Sequence, residues 1–271
     1  MNINTAPSIS KIDSFEEEMS AEPWYHFSID DVFDALVEVN DKKISLLEHP
    51  TFSFLEKMHK AYGLHVGLNL FFQKKINHEM RYLSEIRDMK EEIKSLGGWL
   101  KFAPHALDFE TAPYDQKPED QIGVFDKIYS EITRFAGEDS YARWVRLHYY
   151  SESYELASYF KEKGVQALFA TDRPSGAHRL PQDSKDDLLK KGFTRFENLY
   201  FIRTHFRIEF FEQKKESFLS IKKMFEETLG THKHIVLYTH EYELARKEIL
   251  ETLEKSLKVL KSIHVPSINK M

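Results

Sequence analysis

Two adjacent aspartates, Asp30 and Asp31, close the run Tyr25-His-Phe-Ser-Ile, whose apolar side chains alternate at Tyr25, Phe27 and Ile29 with the period of a strand. Val32, Phe33, Leu36 and Val37 then take up helical spacing. A strand that ends in paired acids and turns into a helix is where α/β enzymes place their chemistry. Asp is also a favoured helix N-cap, so capping is the competing reading of either residue. Other reactive side chains stand just past later apolar runs. These are His105 with Asp108, Arg146 with His148, Asp172, and His240 with Glu241. Each has an ordinary explanation on its own. A strand-end histidine is often a hydrogen-bonded loop residue, and Asp172 before Arg173-Pro174 can initiate a turn. Glu241 can be a first-turn acid favoured by the helix dipole. Arriving together at one end of a parallel sheet, three histidines and several acids make a His/Asp metal-site composition. Zinc is the first expectation, with iron, manganese or cobalt next. A metal-free glycosidase using a pair such as Asp30 and Asp172 is a further reading.

The elements that must position these residues are read from periodicity. Apolar strand-like runs occur near residues 25–29, 64–72, 99–103, 142–147, 165–170, 199–202 and 234–238, and helical patterns lie between them. The spacing predicts a helix carrying Met80, Leu83, Ile86, Met89, Ile93 and Leu96 on one face. Residues 107–121 and 173–198 read as irregular, and Phe206–Phe211 as strand-like. Strand–helix alternation repeated about seven times implies parallel strands with right-handed crossovers. The predicted fold is therefore α/β in a single domain, a distorted seven-stranded parallel (β/α) barrel in preference to an open doubly wound sheet, the alternative that the same alternation allows. Its expected limits are residues 23–265, with an N-terminal lead-in at 1–22 and a C-terminal tail at 266–271. No GxxxxGK[ST] or GxGxxG motif is present. The cluster Arg203-Thr204-His205-Phe206-Arg207 is a weaker candidate, suited to an anionic or sugar substrate or to a solvated edge.

Composition narrows the classes. The 271 residues are 41% hydrophobic, enough for a sizeable core. A net charge of −6 argues against nonspecific nucleic-acid binding. With no cysteine, any metal must be held by His, Asp and Glu. No stretch is apolar for long enough to span a membrane, and the N-terminus lacks a signal-peptide pattern. A cytoplasmic protein acting on a small molecule or carbohydrate, without nucleic-acid or membrane partners, is the expectation.

The Phe-Ser-Ile-Asp-Asp run, the second strand LHVGLNLFF, a His after strand three, an Arg in strand four and a His ending strand seven together resemble the polysaccharide deacetylase-like (NodB-homology) superfamily. The likeness spans roughly residues 24–245 and is that of a divergent member. It implies a metal-dependent hydrolase that removes an acyl group from a sugar or a related amide or ester. It further implies Asp30 as general base, Asp31 and His105 as metal ligands, Arg146 as the residue orienting the base, and His240 as general acid. Tyr149 matches the tyrosine of the family's RxPY motif and, with Asp172 and Glu241, is expected on the substrate side. Two departures stand out: the second histidine of the family's HxxxH motif falls at Phe109, and the RxPY proline is His148. A replacement third ligand is then needed, with His148 expected ahead of Asp108; failing both, His240 joins the metal and the acid role is left unfilled. The incomplete HxxxH also leaves open an inactive barrel that binds a carbohydrate.

Overall fold

Strand β1 (Trp24–Val32) is buried along its whole length, flanked on one side by β11 (His234–His240) and on the other by β2 (Val66–Phe71). A strand covered on both faces tolerates an almost unbroken apolar run, which explains why alternation in the sequence is only partial. The computed structural model describes residues 22–171, 173 and 179–268. After β1 come helices α1 (Asp34–Lys42) and α2 (Pro50–Tyr62), then β2. A hairpin of β3 (Gln73–Ile76) and β4 (Glu79–Tyr82) follows, then α3 (Lys90–Ser95), β5 (Leu100–Ala106) and α4 (Pro118–Phe135). Beyond these lie β6 (Trp144–Val145), α5 (Ala157–Glu162), β7 (Ala167–Ala170), α6 (Gln182–Lys191), β8 (Phe193–Phe196), β9 (Leu199–Arg203) and β10 (Phe206–Arg207). Helices α7 (Ile208–Gln213) and α8 (Phe218–His232) precede β11, and α9 (Lys247–Ser262) follows it.

The central sheet has five parallel strands in the order β10-β11-β1-β2-β5. A second sheet, β6-β7-β9-β8, is parallel except for the β8–β9 pair. The expected single seven-stranded barrel is thus divided between two sheets. They adjoin at one side through the bridge Phe102–Tyr141, where Ala142 N–H donates to Phe102 O at 2.8 Å. At the other side the chain steps from β9 to β10 through Thr204 and His205. There Thr204 N–H donates to Ala170 O, and His205 N–H donates to Val236 O. Amphipathic helices close the outside. Helix α4 turns Phe125, Ile128, Ile132 and Phe135 inward, and α9 does the same with Ile249, Leu253, Leu257 and Leu260. Residues 266–268, expected as a tail, instead bond to β1: Tyr25 N–H donates to Pro266 O and Ile268 N–H to Tyr25 O, both at 2.9 Å. Among the described residues no helix is long and apolar enough to cross a membrane.

Three predicted elements differ. The helix expected through Met80 and Leu83 is the β3–β4 hairpin, turned at Asn77 and His78, whose φ values of 51° and 71° lie in the left-handed region. Such a two-residue turn matches the twist of paired strands, and Asn tolerates it well, so local turn chemistry overrode the helical spacing. The irregular stretch 173–198 contains α6 and β8. Phe206–Phe211 is strand for only two residues before α7 begins.

Glu241 is buried against the start of α1. Its carboxylate accepts from the main-chain N–H groups of Phe33, Asp34 and Ala35 at 2.9, 2.7 and 2.9 Å. Phe33, the N-cap of α1, has no side chain able to cap, so an acid from the neighbouring strand end satisfies those donors. The Asp30 and Asp31 side chains are thereby released from the capping role. Glu241→Ala is expected to lower stability by roughly 2 kcal/mol, since it strands donors at a buried helix start. Denaturant unfolding reads this directly, and an unchanged midpoint would show that water replaces the carboxylate.

Candidate metal centre

The register of β1 on β11 sets Asp30 opposite His240, so both strand ends deliver their side chains to one edge. Between Ile29 and Val32 the pairing of β1 with β2 slips, and Asp31 takes φ 61°. That irregularity interrupts the pleat, so consecutive acids project to the same side rather than to opposite faces. Asp30 Oδ1 accepts from Asn69 Nδ2 at 2.8 Å, and its Oδ2 lies 3.2 Å from Arg146 Nε. Asp31 Oδ1 lies 3.2 Å from His105 Nε2 and 3.4 Å from His148 Nδ1. The two imidazole nitrogens are 3.2 Å apart.

The other nitrogen of each ring decides what these three atoms are. His105 Nδ1 lies 2.7 Å from the Arg146 carbonyl oxygen, and His148 Nε2 lies 3.3 Å from that of Phe109. A carbonyl can only accept, so both of those nitrogens carry the proton. In the neutral imidazoles His105 Nε2 and His148 Nδ1 therefore turn lone pairs toward Asp31 Oδ1. Three acceptors, all on buried residues, converge within 4.8 Å of one another. Asp31 Oδ1 has no conventional hydrogen-bond partner. Burial alone would raise the Asp31 carboxyl, but contact with both imidazoles outweighs it and holds the group far below the usual carboxylate range. Burial likewise lowers the His105 imidazole, and the Asp31 and Asp30 carboxylates reverse this to a net rise. Two nitrogens and one oxygen fit a divalent transition ion, as in three-ligand catalytic zinc sites.

His148 sits on the turn His148–Tyr150 after β6, where Tyr149 and Tyr150 both have positive φ, 51° and 53°. Tyr149 is exposed at the mouth of the cleft. Asp108, the other candidate for third ligand, is committed elsewhere: its Oδ2 accepts from Gln73 Nε2 and its Oδ1 from Thr111 N–H, both at 2.8 Å. Asp172 lies outside the described residues. The remaining sequence candidates, Asp30, Asp31, His105, Arg146, His148, Tyr149 and His240, line one cavity of about 440 Å³.

Residues not foreseen complete it. His240 Nδ1 donates to Glu209 Oε1 at 2.9 Å, and its main-chain N–H reaches the same oxygen at 3.2 Å. Glu209 is fully buried at the start of α7. Burial raises its carboxyl, but the His240 and Arg207 contacts prevail and the net shift is downward. Glu209 stands just past β10, where a strand-end search would find it, but it lies inside an apolar run that read as strand. Arg146 Nη1 donates to Thr204 Oγ1 at 2.5 Å and Nε approaches Ser28 Oγ at 3.3 Å.

Glu152 is fully buried as well, and burial pushes its carboxyl up to about 8 in spite of Arg146, its own main-chain N–H and that of Thr171. A carboxyl raised in the folded state contributes stability that is full below the unfolded value near 4.5 and is lost as pH rises toward 8. The isosteric Glu152→Gln is expected to gain on the wild type by about 1.4 kcal/mol per pH unit across that window. Urea midpoints at pH 5 and pH 7.5 compare the two, and parallel behaviour would show that Glu152 stays ionised.

No protein-family model matches the chain, and no curated protein matches it. Solved structures do. A protein from Enterococcus faecalis, provisionally named for cellobiose-phosphate cleavage, is similar over 92% of this chain and 98% of its own, with a TM-score of 0.54 and 9% identity. The 4-alpha-glucanotransferase of Thermococcus litoralis is similar over 91% of this chain and 39% of its own, with a TM-score of 0.52 and 15% identity. A polysaccharide deacetylase from Bacillus cereus is similar over 92% of this chain and 93% of its own, with a TM-score of 0.46 and 10% identity. At these identities the likeness is one of fold.

Proposed function

We propose that this protein is a metal-dependent hydrolase that removes an acyl group from a sugar or a related amide or ester. The observation that carries the proposal is the convergence of Asp31 Oδ1, His105 Nε2 and His148 Nδ1 as three acceptors, with both imidazole tautomers fixed by main-chain carbonyls. Asp31, His105 and His148 hold the ion, zinc by donor preference, with iron, manganese or cobalt as alternatives. A divalent ion supplies, when bound, Lewis-acid polarisation of an acyl oxygen.

The chain's own residues supply proton handling. Asp30 is the base: Asn69 and Arg146 fix its two oxygens, so its remaining lone pairs keep one direction toward a water in the cleft. His240 is the acid: Glu209 holds Nδ1–H and leaves Nε2 to deliver a proton to the departing amine or alkoxide. Tyr149 forms part of the substrate wall. The sugar class is supported by the deacetylase-like sequence pattern and by a fold shared with a neighbour named for a phosphorylated disaccharide. His148 fills the place left by Phe109, and this favours the hydrolase over an inactive carbohydrate-binding barrel.

Protein purified without chelators is expected to hold close to one divalent ion per chain by elemental analysis. Asp31→Ala, His105→Ala and His148→Ala should each lose it, along with activity on acetylated sugars. Absence of metal after incubation with zinc, manganese and cobalt would overturn the proposal. Glu209→Gln should retain the ion yet turn over about 10²-fold more slowly, the scale of a misplaced general acid. Steady-state kinetics beside the metal assay separates these two effects.

A further inference from the structure

Three arginines, Arg146, Arg173 and Arg207, line the cavity. Asp30 is engaged by Arg146, Asp31 lies between two imidazoles, and Glu209 is shared by His240 and Arg207. Arg173, which also lines the cavity, pairs with no acid among the described residues. It follows β7, anchored through its main-chain N–H to Thr171 Oγ1 at 3.2 Å, and its side chain is exposed. Arg207 borders the same space, its Nη2 3.3 Å from the Tyr242 hydroxyl. Two aromatic faces accompany the arginines. Tyr149 packs against the His148 ring with centroids 4.0 Å apart, and Tyr242 stacks on the His240 ring at 5.3 Å with an interplanar angle of 24°. Both tyrosines keep about half their surface open, 43% and 50%. Aromatic faces at the mouth of a cavity this size suit the apolar face of a small ring. Guanidinium groups suit phosphate or carboxylate oxygens, which they engage bidentately.

The geometry points to a substrate that is a small sugar bearing an anionic group, a phosphate ester or a carboxylate, which Arg173 and Arg207 engage while Tyr149 and Tyr242 hold the ring. This rests on the reading of the cleft as the acyl-sugar site and adds the charge of the ligand. It also gives a use to Arg207, one end of the basic cluster that the acyl-transfer machinery leaves unassigned.

The test is isothermal titration of the full-length protein with glucose, glucose 6-phosphate and inorganic phosphate. None of these carries an acyl group, so binding is read without turnover. Glucose 6-phosphate is expected to bind at least tenfold more tightly than glucose and than inorganic phosphate. The preference over glucose should fall below about threefold in Arg173→Ala, recover in part in Arg173→Lys, and shrink when salt rises from 50 to 500 mM. Equal binding of the two sugars, no binding of either, or a preference untouched by Arg173→Ala would overturn the inference. Inorganic phosphate binding as tightly as the sugar phosphate would reduce the site to a simple anion site and overturn it too. A protein that holds no metal yet keeps the preference would remove the hydrolase reading and leave this one standing.

Discussion

The structure depends on one buried cation. Arg146 is 2% exposed and stands at the end of the short β6 of the second sheet. Its guanidinium reaches Asp30 and Ser28 on β1 of the central sheet and Thr204 where the two sheets exchange the chain. Its Cζ lies 4.5 Å from the Tyr238 ring centroid and 4.9 Å from that of Phe169, so one aromatic wall comes from each sheet. Its main-chain carbonyl oxygen sets the His105 tautomer, and its N–H approaches Asn69 Oδ1 at 3.3 Å. Moving such a charge out of water costs several kcal/mol and is tolerated only with partners of good geometry. Loss of Asp30, its counter-charge, would leave the guanidinium stranded. The two sheets are consequently tied at the same point that orients Asp30 and His105.

Around this fixed point the backbone is locally strained. Asp31, Tyr149 and Tyr150 all have positive φ without being glycine. Such conformations cost about 1 kcal/mol or more each and persist where surrounding contacts dictate them. Here those contacts are the Asp31–His105–His148 cluster and the packing of Tyr149 on His148, Phe109 and Tyr114. Mutual repulsion among converging lone pairs adds to the strain. A cation among these atoms would relieve that repulsion.

Parallel strand logic made most of the cleft legible. Once strand ends are known, Asp30, Asp31, His105, Arg146, His148 and His240 have to meet, because every crossover returns the chain in the same direction. The same logic misassigned Glu241. An acid one residue past a strand has the same local sequence whether it faces the cleft or turns to cap the helix of a neighbouring unit. Only the missing side-chain cap at Phe33, a fact about the partner element, distinguishes the two. Glu209 went unseen for the complementary reason. Its neighbours Ile208, Phe210 and Phe211 supply an apolar run, and whether such a run is strand or helix is not decided by periodicity over so few residues. The hairpin at Asn77-His78 was hidden because Met80, Leu83 and Ile86 keep helical spacing by coincidence, with Met80 in fact exposed.

The exchange at Phe109 shows what the site requires of the sequence. Phe109 stands in the loop after β5, and the imidazole that meets His105 and Asp31 comes from His148 on the turn after β6, a different element. Phe109 still contributes: its carbonyl oxygen receives His148 Nε2–H, and its ring packs 5.7 Å from the imidazole. What is preserved is a lone pair at a given point in space with its tautomer fixed by a main-chain acceptor, not a residue at a given place in a motif. The bulge that places Asp31 and the carbonyl of Arg146 that sets His105 obey the same rule. The backbone, rather than the side-chain pattern alone, therefore defines how these side chains meet.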